Sequence, residues 1–141
     1  MKTIKYTTKK PTVITIDDSP MMTNFLKVFL SKDYDVTAYN STTKALKELS
    51  GGVVSPDCIL TDFHVANDLT GLEFIAKLKE VDPIIPVLVL SGSCDMNQKI
   101  ACLKNGAVDF ISKPFNPMEL NVRINNALTA SSQLNQYRYA V

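Results

Sequence analysis

Five short apolar runs, each followed by a stretch of helical period, organise this chain. Residues 13–16 (VITI), 58–61 (CILT) and 86–90 (PVLVL) are almost unbroken in apolar or β-branched side chains, the pattern of strands covered on both faces. Residues 34–39 and 108–111 supply two further strands. Between them the period changes from two to about 3.6. Residues 20–30 carry Met22, Phe25, Leu26 and Phe29 at helical spacing, with Asp18 or Ser19 placed to cap and Pro20 in the first turn. Met21 and Met22 both read as packing residues of that helix. A second helix, 42–49, starts behind Ser41 and stops at Gly51-Gly52. A third, 72–81, presents Leu72, Ile75 and Leu78 and ends before Pro83. The spacing predicts two more, at 95–105, stopping at Gly106, and at 117–130, with Leu120, Ile124 and Leu128.

Strand then helix, five times over, implies a parallel sheet with right-handed crossovers, a three-layer α/β sandwich. At 141 residues the chain suits one domain with a substantial core. The expected division is an N-terminal arm over 1–11, a domain over 12–130 and a C-terminal tail over 131–141. No internal repeat, low-complexity tract or linker to a second domain is recognised.

Fifteen basic residues against fourteen acidic leave a net charge of +1, which offers no bulk attraction for nucleic acid or an anionic membrane. The lysine-bearing start MKTIKYTTKKP has no apolar stretch behind it, which argues against a secretory signal. No apolar run approaches the roughly 18 residues of a membrane span. Cys58, Cys94 and Cys102 are odd in number, form no Cys-x-x-Cys pair and sit in apolar segments. They read as buried, reduced thiols of a cytosolic protein.

The chemistry collects at the carboxyl ends of the strands, where open α/β sheets bind their ligands. Asp17 and Asp18 follow the first strand, Asp62 the third, Ser91 the fourth and Lys113 the fifth. Two like charges about 4 Å apart repel by about 4 kcal/mol at an effective dielectric of ~20. One lysine offsets only part of that for three carboxylates. A divalent cation is the natural complement, and all-oxygen ligands with room for water favour Mg²⁺. Cation, ammonium, hydroxyl and a free carboxylate together suit phosphoryl transfer, with the carboxylate as nucleophile.

The motifs IDDSP, LTDFH, VLVLSG and DFISKPF, in this order over residues 12–129, resemble those of the receiver domain of two-component response regulators. The resemblance implies a CheY-like, flavodoxin-like (βα)5 fold with strand order 2-1-3-4-5. It implies that Asp62 accepts the phosphoryl group, that Asp18 binds Mg²⁺ directly and Asp17 mainly through water, and that Asp62 and the main-chain carbonyl of His64 complete the cation's protein ligands. Ser91 becomes the switch hydroxyl, Phe110 the switch aromatic and Lys113 the partner of the phosphoryl, with a cis Lys113–Pro114 bond. His64 and Ser93, two residues beyond the acceptor and the hydroxyl, become the positions that tune phosphoryl lifetime. The implied donor is a histidine kinase or histidine phosphotransfer protein. The implied output is a protein partner, or a second copy of this chain, on the face made by the fourth helix, fifth strand and fifth helix. No direct nucleic-acid or membrane contact is expected, and the expected location is cytoplasmic. The loop after Asp62 departs from the family's commonest pattern: Ala66 stands near the usual proline, and the run to Gly71 is one residue longer.

Plainer roles remain beside these. Phe110 reads equally as a core aromatic of its strand, and His64, the chain's one histidine, as a solvent-facing loop residue. Two other functions share the site chemistry. A Mg²⁺-dependent phosphohydrolase with an aspartyl-phosphate intermediate wants Asp-x-Asp at the first strand, where this chain has Asp17-Asp18-Ser19. A pseudo-receiver would bind partners without phosphorylation and has no need of all five site residues. The resemblance implies a switch that catalyses only its own phosphorylation and dephosphorylation, not turnover of an outside substrate.

Overall fold

A computed structural model describes residues 9–139 apart from Cys94, and for 133–139 only the course of the helix. Five strands, β1 (Thr12–Ile16), β2 (Asp35–Tyr39), β3 (Cys58–Asp62), β4 (Val87–Ser91) and β5 (Asp109–Ser112), form one parallel sheet in the order β2-β1-β3-β4-β5. The helices are α1 (Pro20–Leu30), α2 (Thr42–Ser50), α3 (Gly71–Val81), α4 (Met96–Lys104) and α5 (Pro117–Tyr139). The predicted architecture and strand order hold, with element ends shifted by a residue or so except at the end of the last helix.

The strand side chains alternate between two cores, which is why three strands carry almost no polar residues. Val13, Cys58, Leu60, Leu88, Leu90 and Ile111 meet Leu26 and Leu30 of α1 and Leu120 and Ile124 of α5. Ile14, Ile16, Ile59, Val87 and Val89 point the other way, onto Ala45 of α2, Phe74, Ile75 and Leu78 of α3, and Cys102 of α4. A one-residue slip in register would exchange these two sets, so the pairing Val13↔Cys58 and Ile59↔Val87 is strongly specified. Edge strand β2 alternates instead, with Asp35 and Thr37 exposed and Tyr39 buried.

Local signals place the helices. Ser19 caps α1 by accepting the Met22 N–H at 3.3 Å, which leaves Asp18 free for another task. Ser41 caps α2, and Thr70 with Glu73 forms a reciprocal capping box on α3. Met21 differs from expectation: it is 82% exposed, while its neighbour Met22 packs on the α1–α5 core. Phe25 is also partly exposed and lies 6.1 Å from Phe29 and 6.5 Å from Phe115, ring centre to ring centre.

The expected end of the last helix at Ala130 is corrected: α5 is continuous to Tyr139. The apolar period fades after Leu128, so the sequence pattern stops marking the helix there. No glycine or proline follows Pro117 to stop it. Cys58 and Cys102 are buried free thiols, as the sequence suggests, and burial pushes Cys58 up to about 12. Cys94 lies outside the described residues. No helix among the described residues is long and apolar enough to cross a membrane.

Candidate functional site

The sheet brings Asp17, Asp18, Asp62, Ser91 and Lys113 to the carboxyl edge of β1, β3, β4 and β5. The strand order reverses between β1 and β3, so α1 and α3 leave on opposite faces and open a crevice there. Backbone contacts fix each contributor. The Asp17 N–H donates to the Tyr39 carbonyl at 3.1 Å, the Phe63 N–H to Leu90 at 2.8 Å, and the Lys113 N–H to Ser91 at 2.7 Å. Gly71 lets α3 start against the end of β3, since a Cβ there would sit 3.1 Å from the Phe63 Cα and 3.2 Å from the Asp62 carbonyl oxygen. The Lys113–Pro114 bond is cis.

One carboxylate oxygen from each of Asp17, Asp18 and Asp62 lies within 4.8 Å of the others. The Lys113 ammonium stands 3.3 Å from Asp62 Oδ1 and 3.5 Å from Asp17 Oδ2. Asp17 is 2% exposed, and its Oδ1 accepts the Ser19 N–H at 2.8 Å. Its buried Oδ2 accepts no hydrogen bond. Burial pushes the Asp62 carboxyl up from its ordinary range; Lys113 pulls it down, and Asp17 pushes it up again. One ammonium thus pairs with two of the three clustered carboxylates, and the buried Asp17 Oδ2 has that ion pair but no hydrogen bond. Such a donor set fits a divalent cation bound through oxygen, and Asp17, Asp18 and Asp62 are the side chains placed to hold it.

Ser91 is fully buried at the end of β4. Its hydroxyl oxygen accepts the Ser93 N–H at 3.1 Å, and the hydroxyl donates to the Ser93 carbonyl at 3.3 Å. Phe110 pairs with Val89 across β4 and β5 and is 7% exposed, within the core on the α2–α3–α4 side. The His64 side chain is exposed, with its ring edge against Phe63 at 4.8 Å between centres. Its imidazole is no part of the acidic cluster.

A family model described as the response regulator receiver domain matches residues 13–125. The chain belongs to the response regulator receiver family. Similar proteins include the hybrid signal transduction histidine kinase D of Dictyostelium discoideum, 32% identical over 122 residues, 85% of this chain and 8% of that protein. The transcriptional regulatory protein TrcR of Mycobacterium tuberculosis is 31% identical over 86% of this chain and 47% of its own length. This receiver therefore spans half or less of these curated relatives. Among solved structures, a response regulator receiver domain protein from Clostridium thermocellum superimposes with a TM-score of 0.81 at 27% identity, covering 88% of this chain and 98% of that one. Phosphorylation is the general role of receivers, and the acidic cluster lies where this fold keeps its ligand site.

Sequence reasoning gave no site role to two residues here: it noted Ala66 only as a departure from the family's usual proline, and it did not single out Asp68. The Ala66 N–H donates to Asp18 Oδ2 at 2.9 Å, and Asp68 ties the same loop to α2. The signal available was the Asn67-Asp68 pair, ordinary turn chemistry whose partners lie 25 and 27 residues earlier in the chain.

Proposed function

We propose that this chain is a phosphoryl-accepting switch, with Asp62 as the acceptor. The observation that carries it is the Asp62 carboxylate beside the buried Asp17, the two sharing the Lys113 ammonium. Asp62 attacks the phosphorus of a phosphohistidine on a histidine kinase or histidine phosphotransfer protein. The P–N bond breaks, the imidazole leaves with that electron pair, and an acyl phosphate forms on the carboxylate. Mg²⁺ held by Asp17, Asp18, Asp62 and the His64 carbonyl would supply positive charge against the phosphoryl oxygens. Lys113 turns from the free carboxylate to those oxygens. Ser91 exchanges its Ser93 carbonyl partner for the phosphoryl group.

Output follows from the Ser91 movement. Phe110 shifts into the space that Ser91 vacates, and the face made by α4, β5 and α5 changes shape. Ile100 and Leu103 on α4, Val108 before β5, and Met118 and Val122 on α5 are exposed there. These side chains suit a protein partner or a second copy of this chain, docking in the cytoplasm in response to phosphorylation. A bias of ~1.4 kcal/mol between two states already changes their ratio tenfold.

Intact-mass measurement after incubation with Mg²⁺ and a small phosphodonor tests the acceptor. A gain of one phosphoryl group is expected, present only with a divalent cation, absent in Asp62→Asn and strongly reduced in Asp18→Ala. An unchanged gain in Asp62→Asn removes the assignment. Sustained release of phosphate from phosphate esters would make the protein a hydrolase, and no Mg²⁺ binding would leave a phosphorylation-independent binding module.

A further inference from the structure

The loop joining Asp62 to α3 is fastened at two places. On the site side, Ala66 donates its main-chain N–H to Asp18 Oδ2 at 2.9 Å. On the other, the Asp68 carboxylate grips the start of α2. Its Oδ2 accepts the Ser41 hydroxyl at 2.6 Å, and its Oδ1 accepts the Thr43 N–H at 3.2 Å and the Leu69 N–H at 2.8 Å. The Thr43 hydroxyl also donates to Oδ1, and the Thr42 hydroxyl donates to the Leu69 carbonyl at 2.8 Å.

Between the two fastenings is a tight turn, closed by the Asp68 N–H on the Val65 carbonyl at 3.2 Å. Asn67, its third residue, has φ 56° and is the one non-glycine residue of positive φ among those described. Asparagine tolerates that conformation. A turn with positive φ at the third residue but not the second is of type II, and its second position readily takes proline. That position is Ala66. A proline there would keep the turn but carry no N–H. Alanine leaves a donor aimed at Asp18.

Asp18 has reason to need one. Asp17 is buried and oriented by Ser19, whereas Asp18 is exposed and free of any capping task. Ordering a free carboxylate when a cation arrives costs side-chain entropy. A hydrogen bond made beforehand lowers that cost. It takes one lone pair of Oδ2 and leaves the other oxygen to the cation.

We propose that the Ala66 N–H, held in place by the attachment of Asp68 to α2, is a positioning device for the cation ligand Asp18, so that this loop sets the divalent-cation affinity of the receiver. The inference rests on Asp17, Asp18 and Asp62 being a cation site, and the experiment separates the two. Mg²⁺ is titrated into wild-type protein, Ala66→Pro, Ala66→Ser, Asp68→Ala and the Ala66→Pro/Asp68→Ala double variant, with binding followed by calorimetry.

Ala66→Pro should weaken Mg²⁺ binding on the order of tenfold, the size of outer-sphere effects on metal sites. Ala66→Ser, which keeps the N–H, should match wild type. Asp68→Ala should weaken binding in the same direction. The double variant should lose no more than the proline variant alone, because both act through one N–H. Additive losses would overturn the link between Asp68 and Ala66, and wild-type affinity in Ala66→Pro would overturn the positioning role. Should the proline variant not fold, hydrogen exchange of the Ala66 amide in metal-free wild-type protein decides. Slowed exchange that Asp68→Ala abolishes is expected, and exchange as fast as an open loop refutes it. A wild-type protein that binds no Mg²⁺ overturns the cation site itself and this proposal with it.

Discussion

The Lys113 ammonium lies 3.3 Å from Asp62 Oδ1, the nearer of the two carboxylates it bridges. It is a counter-charge to Asp62, the proposed acceptor, and as a cation is no metal ligand, which makes the two roles separable. In Lys113→Ala, Mg²⁺ affinity should stay within about threefold, or tighten, since a competing cation is gone. Phosphorylation-dependent partner binding should fall by more than tenfold, a loss of over ~1.4 kcal/mol. Parallel Mg²⁺ titrations and pull-down of the phosphorylated proteins give both numbers. A collapse of Mg²⁺ affinity would place the lysine wrongly.

Burial raises the Asp62 carboxyl above its ordinary 3.8, so the folded protein holds that proton more firmly than the unfolded chain does. Stability from this group is therefore greatest in acid and falls as pH climbs past 3.8 through the raised value. At pH 7 without divalent cations, Asp62→Asn should be the more stable protein, with the higher Tm. Saturating Mg²⁺ should reverse the order, because a ligand at a hundredfold its Kd adds about 2.7 kcal/mol to the protein that binds it. Calorimetric scans in chelator and in excess Mg²⁺ make the comparison.

Asp68 has the opposite sign. Burial pushes its carboxyl up, but hydrogen bonds from Ser41, Thr43 and Leu69 outweigh that and hold it well below the usual carboxylate range. Its contribution is fully present above the ordinary 3.8 and is lost as pH falls through the depressed value. Asp68→Ala should cost about 1–2 kcal/mol at pH 7, at the lower end for hydrogen bonds to a charge because the group is partly solvated. Urea unfolding should show the gap closing below pH 3.8. A gap independent of pH would mean the carboxylate's charge plays no part.

The His64 side chain faces solvent against Phe63, two residues beyond Asp62. His64→Ala should change the decay rate of the phosphorylated protein several-fold and leave Mg²⁺ affinity nearly intact, because the expected ligand is the main-chain carbonyl. Ser93→Ala should also alter the decay. Equal lifetimes in wild type and His64→Ala, read by intact mass over time, would count against a role for the imidazole.

Beryllofluoride, a phosphoryl mimic, should alter amide exchange beyond the acidic cluster. Changes are expected over residues 94–130, in α4, β5 and the first half of α5. In Ser91→Ala the response should shrink to the loops near Asp17 and Asp62. A wild-type response confined to those loops would mean that the signal leaves by another face.

Most of this architecture was legible because its strands are covered on both faces: VITI, CILT and PVLVL admit few other readings. The site was legible for a related reason, since parallel strands bring their carboxyl ends to one edge and the polar residues cluster just beyond those ends. What escaped was long-range and polar. Nothing around Asp68 in the sequence points to Ser41 or Thr43, and a main-chain donor such as Ala66 carries no side-chain signature. Met21 escaped for a simpler reason: an apolar residue beside a helix stripe need not belong to it, and here it faces water. The end of α5 was misplaced because the helix outlasts the apolar period that marked it in the sequence.

That outlasting has a mechanical side. From Leu128, which packs on the core, α5 runs on to Tyr139, about 16 Å at 1.5 Å per residue. With no glycine or proline after Pro117, it is an unhinged rod. A tilt of about 10° at Leu128 would carry its far end sideways by about 3 Å over that length. Leverage of this kind turns a repacking too small to notice inside the core into a displacement comparable to a side chain's width.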